Sequence, residues 1–263
     1  EGWGFVSDSF LGNRIDMADR VLGLDIGNTS VKVVQVTGGL RGYHVTGCHM
    51  VEIGPDGGLE QAMESALKPL QVNGYTCVSS FQADRLSFRN LVLPFKDPKK
   101  IEQTLGYELE PLLPVSVETV TTDYIASDRA DNTPVLAGAV ADEIVEKHLA
   151  FLGNYNIDPD VVDVNGTATA LQLVKHQDGA SNVLLLDVGS KVSSATLILD
   201  GNVALVRSFH FGGATLTDAV AASKGVSFEK AERMKRSEQG PALSEIAKPR
   251  ILSFCRDIDN TLH

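Results

Sequence analysis

Apolar and polar positions alternate along this chain in short blocks, and the blocks predict strands and helices in turn. Residues 21–36 read Val-Leu-Gly-Leu-Asp-Ile-Gly-Asn-Thr-Ser-Val-Lys-Val-Val-Gln-Val. An apolar run breaks at Asp25-Ile26-Gly27 and resumes as a strand, which predicts a β-hairpin. A third strand follows over 43–53, past a turn at Gly38-Gly39. Leu59, Met63, Ala66, Leu67 and Leu70 share one face of a helix predicted over 59–70, and 75–81 returns as a strand. Three antiparallel strands followed by a helix and a strand make one compact α/β unit.

From residue 85 the texture changes. A strand over 86–93 stops at Pro94-Phe95-Lys96-Asp97-Pro98, where Asp97 is placed to cap a helix that runs to Glu110 with Pro98 in its first turn. Strands over 119–126 and 135–140 and a helix over 141–155 complete an inserted β-α-β-β-α unit spanning about 85–156. A strand over 159–163, a helix over 166–175 and a polar linker over 176–181 lead into a second half. There, strands over 183–187, 193–199 and 203–209 form a meander, with Asp200-Gly201-Asn202 as its second turn. Helices are predicted over 214–222, 228–235 and 243–262, the last interrupted or kinked at Pro249. No final strand completes the second sheet, so the chain reads as C-terminally truncated.

The chemistry lies in the turns. An apolar strand sets where Asp25 emerges, and Gly27 allows close approach of a ligand or a positive φ. Asn28, Thr29 and Ser30 offer donors to anionic oxygens, and Lys32 adds a positive charge. The pattern recurs at Leu186-Asp187-Val188-Gly189-Ser190. Two matching hairpins suggest related halves facing one cleft, with Asp25 and Asp187 holding a hydrated divalent metal between them. The alternative for each aspartate is an Asx-turn that satisfies only its own backbone. Gly212-Gly213 precedes a helix start, which would present unpaired amides to an anion. Glu232 and Lys235 lie three residues apart on one helix face, placed either to grip a ribose and a base or to form an ordinary surface ion pair.

Charge and composition narrow the classes. The formal charge of −11 argues against non-specific nucleic-acid binding and against a polybasic membrane anchor. No apolar run approaches the roughly 20 residues needed to cross a bilayer. Cys48, Cys77 and Cys255 lie far apart without metal-ligand spacing, which fits a reducing compartment and three buried or half-buried thiols acting as small apolar residues. The six histidines show no metal spacing and no evident nucleophile partner. Residues 1–16 lack the charged start and apolar core of a signal peptide, and Met17 stands just before the ordered-looking part.

Taken together, the Asp25 turn, Asp163-Val-Asn-Gly-Thr-Ala-Thr-Ala-Leu, the Asp187 turn, Gly212-Gly213 and Ala231-Glu-Arg-Met-Lys resemble the superfamily of actin, DnaK-type chaperones and sugar kinases. Within it the chain most resembles the PilM/GspL family of type IV pilus assembly and type II secretion, and the inserted unit supports this. The resemblance implies an actin-like (ribonuclease H-like) duplicated fold: a leader or extension over 1–18, a first half over 19–84 and 157–178, an inserted subdomain over 85–156, and an incomplete second half over 179–263. It implies that the complete protein holds ATP and Mg through Asp25, Gly27, Asn28, Thr29, Lys32, Asp187, Gly189, Ser190, Gly212, Gly213, Glu232 and Lys235, with the metal reached through water from Asp25 and Asp187. Asn165 stands where hydrolysing relatives carry Gln or Glu, and the glycine-rich adenosine motif is absent. The resemblance therefore implies weak or no hydrolysis and assigns no catalytic residue. It further implies a cytoplasmic scaffold peripheral to the inner membrane, binding the N-terminal tail of a PilN-like membrane protein or a motor ATPase. The alternatives are a small-molecule kinase of the same superfamily and an FtsA-like filament former.

Overall fold

A computed structural model describes residues 20–39, 42–54, 58–127, 132–176, 182–237 and 243–262. Residues 1–16 and the 177–181 part of the polar linker lie outside these. The first sheet has the order β3-β2-β1-β4-β8, from β1 (Arg20–Ile26), β2 (Ser30–Gly39), β3 (Gly42–Glu52), β4 (Thr76–Phe81) and β8 (Val161–Val164). β1 and β2 pair antiparallel from Arg20↔Thr37 to Ile26↔Val31, and β1 pairs parallel to β4 on its other edge. Period-two alternation puts Leu22, Leu24, Val31 and Val33 on one face, where α1 (Leu59–Leu67) buries them under Ala62, Met63, Ala66 and Leu67. β8 is pinned to β4 at its entry, because Asp160 Oδ2 accepts from the Cys77 amide at 2.8 Å and the Asp160 amide donates back to the Cys77 carbonyl at 2.9 Å.

Between β4 and β8 the chain builds a second sheet of order β5-β7-β6, from β5 (Leu86–Leu93), β6 (Val120–Ala126) and β7 (Thr133–Ala141). β7, last in sequence, lies in the middle and is buried along most of its length. α2 (Pro98–Leu109) starts at Asp97, whose Oδ1 accepts from the Lys99 amide at 2.9 Å. It lays Ile101, Leu105 and Leu109 on Leu91, Leu93, Val135 and Ala137. α3 (Asp142–Gly153) serves two cores. Ile144 and Val145 pack with Phe88 and Leu136, whereas the fully buried Leu152 joins Leu22 and Met63 under the first sheet.

The third sheet is the meander β9 (Val183–Val188), β10 (Ser193–Leu199) and β11 (Asn202–Phe209), in the order β11-β10-β9. α4 (Thr167–His176) leads to it, and Ala170, Leu171 and Val174 pack in the cluster that holds Ile198, Val203 and Val206 of the meander. α5 (Gly213–Lys224), α6 (Phe228–Arg236) and α7 (Ser244–Leu262) follow. α7 continues as helix through Pro249, so the predicted interruption does not occur. Pro249 stands in the second turn, where it removes one backbone hydrogen bond from a 19-residue helix that is anchored elsewhere by Phe254 on Phe209 and Phe211.

The cysteines also depart from expectation. Cys77 is buried, and burial, with Asp160 and Asp158 adding to it, pushes its thiol up to about 12. Cys48 and Cys255 are exposed, because the faces of β3 and α7 that carry them are not covered. All three are free thiols.

The double role of α3 yields a prediction. Leu152→Ala removes a side chain buried under a sheet that lies far from it in sequence, and should lower unfolding stability by about 2–5 kcal/mol. Urea titration of the two proteins measures it, and a loss below about 1 kcal/mol would remove α3 from that core.

Candidate functional site

Two strand ends set the site. β1 delivers Asp25, and the turn after it is closed by the Gly27 amide donating to the Ser30 carbonyl at 2.9 Å. The Ile53 amide donates to the Thr29 carbonyl at 2.8 Å, tying the end of β3 to the same turn. Gly27 does not take a positive φ. What it supplies is the missing side chain, since a Cβ there would stand 3.2 Å from the Ser30 carbonyl oxygen. Gly189 is tighter still, with a Cβ position 2.5 Å from the Val192 carbonyl oxygen.

The Asp25 carboxylate is held on both oxygens. Lys32 Nζ lies 2.7 Å from Oδ2, and Asn165 Nδ2 donates to Oδ1 at 3.4 Å. Asp25 and Lys32 are direct cross-strand partners, so the pairing follows from the hairpin register. The Asn165 amide donates to the Phe81 carbonyl at 2.9 Å, and Gly166, at φ +92°, turns the chain into α4. Any side chain there would be strained, and its Cβ would also crowd Ser194 Oγ at 3.1 Å. Just upstream, Asp163 is buried. Burial raises its carboxyl above the ordinary range, against the hydrogen bonds from the Val164 amide and the Thr167 hydroxyl.

The second wall comes from β9 and the turn after it. Asp187, Gly189 and Ser190 line one cleft together with Asp25, Gly27, Asn28, Thr29 and Lys32. Gln82, Asn165, Ser193 and Ser194 line it as well. Gln82 accepts from Asn28 Nδ2 at 3.0 Å. Neither Gln82 nor the serine pair carries a signal in the sequence, because each stands at the edge of an ordinary strand and reaches the cleft only through sheet pairing. Among the described residues, the amides of Asn28, Thr29 and Ser190 donate to no other protein group. No cluster of three or more His, Cys, Asp or Glu side chains suited to a metal occurs among the described residues.

Gly212 and Gly213 act differently from expectation. The Gly213 amide donates to the Gly189 carbonyl at 2.9 Å and the Ala214 amide to the Ser190 carbonyl at 2.8 Å, so the start of α5 spends these amides on the Asp187 turn. Gly212 is where the two segments touch. Its backbone is extended, but a Cβ would lie 2.3 Å from the Ser190 carbonyl oxygen. Glu232 and Lys235 are not among the residues that line the cleft. They form an ion pair at 2.7 Å, and Lys235 Nζ also donates to the Gly213 carbonyl and to Thr217 Oγ1, each at 2.8 Å. Thr217 in turn donates to Glu232. Partial burial pushes the Glu232 carboxyl up, but hydrogen bonds from Lys235, Thr217 and Arg236 outweigh it and bring the group to about 2. The pair fastens α6 to α5 just behind the turn.

Two predictions follow. Gly212→Ala forces backbone against backbone, whereas Gly213→Ala meets the tip of Lys235 at 3.3 Å and the Gly189 carbonyl oxygen at an ordinary contact of 3.9 Å. Thermal unfolding should show Gly212→Ala less stable by about 1–3 kcal/mol and Gly213→Ala close to the parent. For Glu232, the depressed carboxyl stabilises the fold above its unfolded value of about 4.3, and that contribution fades as pH falls toward about 2. The stability gap between the parent and Glu232→Gln should be full above about pH 5 and close below it, as read by urea unfolding at several pH values.

A family model described as "Type IV pilus assembly protein PilM" matches residues 23–262. Among solved structures, a PilM-PilN type IV pilus biogenesis complex is similar at 21% identity and a TM-score of 0.76, covering 92% of this chain and 76% of that one. The cytoplasmic domain of EpsL, an inner-membrane component of the type II secretion system of Vibrio cholerae, is similar at 15% identity and a TM-score of 0.50, covering 79% and 77%. The fold is therefore actin-like, and the chain belongs to the PilM family of type IV pilus assembly proteins.

Proposed function

We propose that this protein is a nucleotide-holding scaffold of the type IV pilus machinery, stationed at the cytoplasmic side of the inner membrane by the N-terminal tail of a PilN-like membrane protein. One observation carries the nucleotide half of the reading. Two glycine-bearing turns with open amides and one aspartate each line a single cleft, as an anionic phosphate chain with a divalent cation requires. The residues fit Mg-ATP. The amides of Asn28, Thr29 and Ser190 and the Lys32 ammonium would take phosphate oxygens, and Asp25 and Asp187 would face the hydrated metal. The bound metal would neutralise phosphate charge, and the chain's own residues would orient the phosphates and exclude water.

The cleft is suited to holding more than to cleaving. Asn165 cannot act as a base, and its amide group is engaged with Asp25. No described helix is long and apolar enough to cross a membrane. Recruitment is assigned to the partner. Kinship with the PilM-PilN complex supports that assignment.

Calorimetry tests both halves. Asp25→Ala and Asp187→Ala should each weaken Mg-ATP binding by about tenfold or more, roughly 1.4 kcal/mol. A synthetic N-terminal peptide of a PilN-like protein should bind with one-to-one stoichiometry while its scrambled version does not. Unchanged Mg-ATP affinity in both variants would remove the nucleotide reading, and equal binding of the two peptides would remove the docking one.

A further inference from the structure

We infer that Lys32 is the resident counter-cation of the cleft: it occupies Asp25 until a nucleotide arrives, so that a divalent metal is admitted with phosphate and not alone. The inference rests on the nucleotide-holding reading for its second step only. Lys32 and Asp25 face each other across the β1–β2 ladder at 2.7 Å, with Asn165 on the other carboxylate oxygen. Asp25 therefore needs no metal to be satisfied. Asp187 shares the cleft and has no ion-pair partner among the described residues. The cleft thus carries two acidic groups and one ammonium that sits where a hydrated cation would be drawn.

The pair is built to be exchanged. Side-chain exposure is 53% for Lys32 and 37% for Asp25, so water screens the attraction, and such exposed pairs contribute little. The hairpin does not depend on it, because the register continues over seven paired positions. A phosphate oxygen offers Lys32 an anion of higher charge at the same strand end. Its departure exposes Asp25 to the metal that the phosphates bring. Metal and Lys32 compete for one carboxylate, whereas phosphate and Lys32 cooperate, so removing the lysine must move the two affinities in opposite directions.

The test uses the purified chain with Mn²⁺ alone, followed by its electron paramagnetic resonance signal, and with ADP in the presence of a chelator, followed by calorimetry. Lys32→Gln should bind Mn²⁺ about threefold to fivefold more tightly than the parent and ADP severalfold more weakly. Lys32→Arg, which keeps the charge, should resemble the parent in the Mn²⁺ titration. Adding Asp25→Asn to Lys32→Gln should abolish the gain in Mn²⁺ affinity. Unchanged or weaker Mn²⁺ binding by Lys32→Gln overturns the inference, as does a gain that survives Asp25→Asn. If the parent binds no nucleotide, the reading of the cleft as a nucleotide site fails while the Mn²⁺ comparison still decides whether Lys32 guards Asp25.

Discussion

One apolar cluster joins the three sheets of this molecule. Phe81 comes from β4, Phe88 and Leu136 from the β5-β7-β6 sheet, Val164 from β8, and Ile198 and Val206 from the meander, with Ala170 of α4 fully buried among them. None of the sheets could hide its apolar face alone, and burial of such side chains contributes roughly 1.5–3 kcal/mol each. The cluster makes α4 the element shared by both halves. Through β9, and through β4 with which β1 pairs, it also sets where two turns 162 residues apart in sequence lie, so that they line the same cleft.

Against this apolar frame, the cleft is held by weaker and more numerous polar contacts. The Asp187 turn is braced from behind by two α5 amides, and α5 is in turn fastened to α6 by Lys235, Thr217 and Glu232. The Asp25 turn is braced by Ile53 and by Asn28 on Gln82. Each contact contributes on the order of 1 kcal/mol, little beside the core, but each removes a degree of freedom from a turn that must otherwise wait for a ligand to order it. The site is largely arranged in advance, and what stays adjustable is the exposed Lys32–Asp25 pair.

Much of this was legible in the chain itself. The hairpins announce themselves because an apolar period of two is interrupted by Asp-x-Gly, and α2 because Asp97-Pro98 is both stop and cap. What stayed hidden depends on contacts between elements distant in sequence. No local pattern tells that β7 takes the centre of its sheet, that α3 lends Leu152 to another core, or that Gln82 reaches Asn28. The amides after Gly212 look open from sequence because a helix start is, by itself, open. They close only once the Asp187 turn is folded against them, at a distance that leaves no room for a Cβ. Cys48 illustrates the converse: its strand neighbours suggest burial, yet the face of β3 that carries it is bare.

The same geometry bears on why such a cleft would serve a scaffold. Asn165 sits at the joint between β8 and α4, touches Asp25 through its amide, and is followed by a glycine that permits no side chain against β10. A longer Gln or Glu at this joint could project into the cleft to orient water, whereas the short amide stays on the aspartate. On the proposed reading, a ligand that pulls on Asp25 therefore pulls on the start of α4, and α4 is bedded in the cluster that the insert and the meander share. The work a nucleotide would do there, on that reading, is to bias the packing between these parts, and it could do so by binding alone, since any difference in affinity between two packings shifts their balance without a bond being broken.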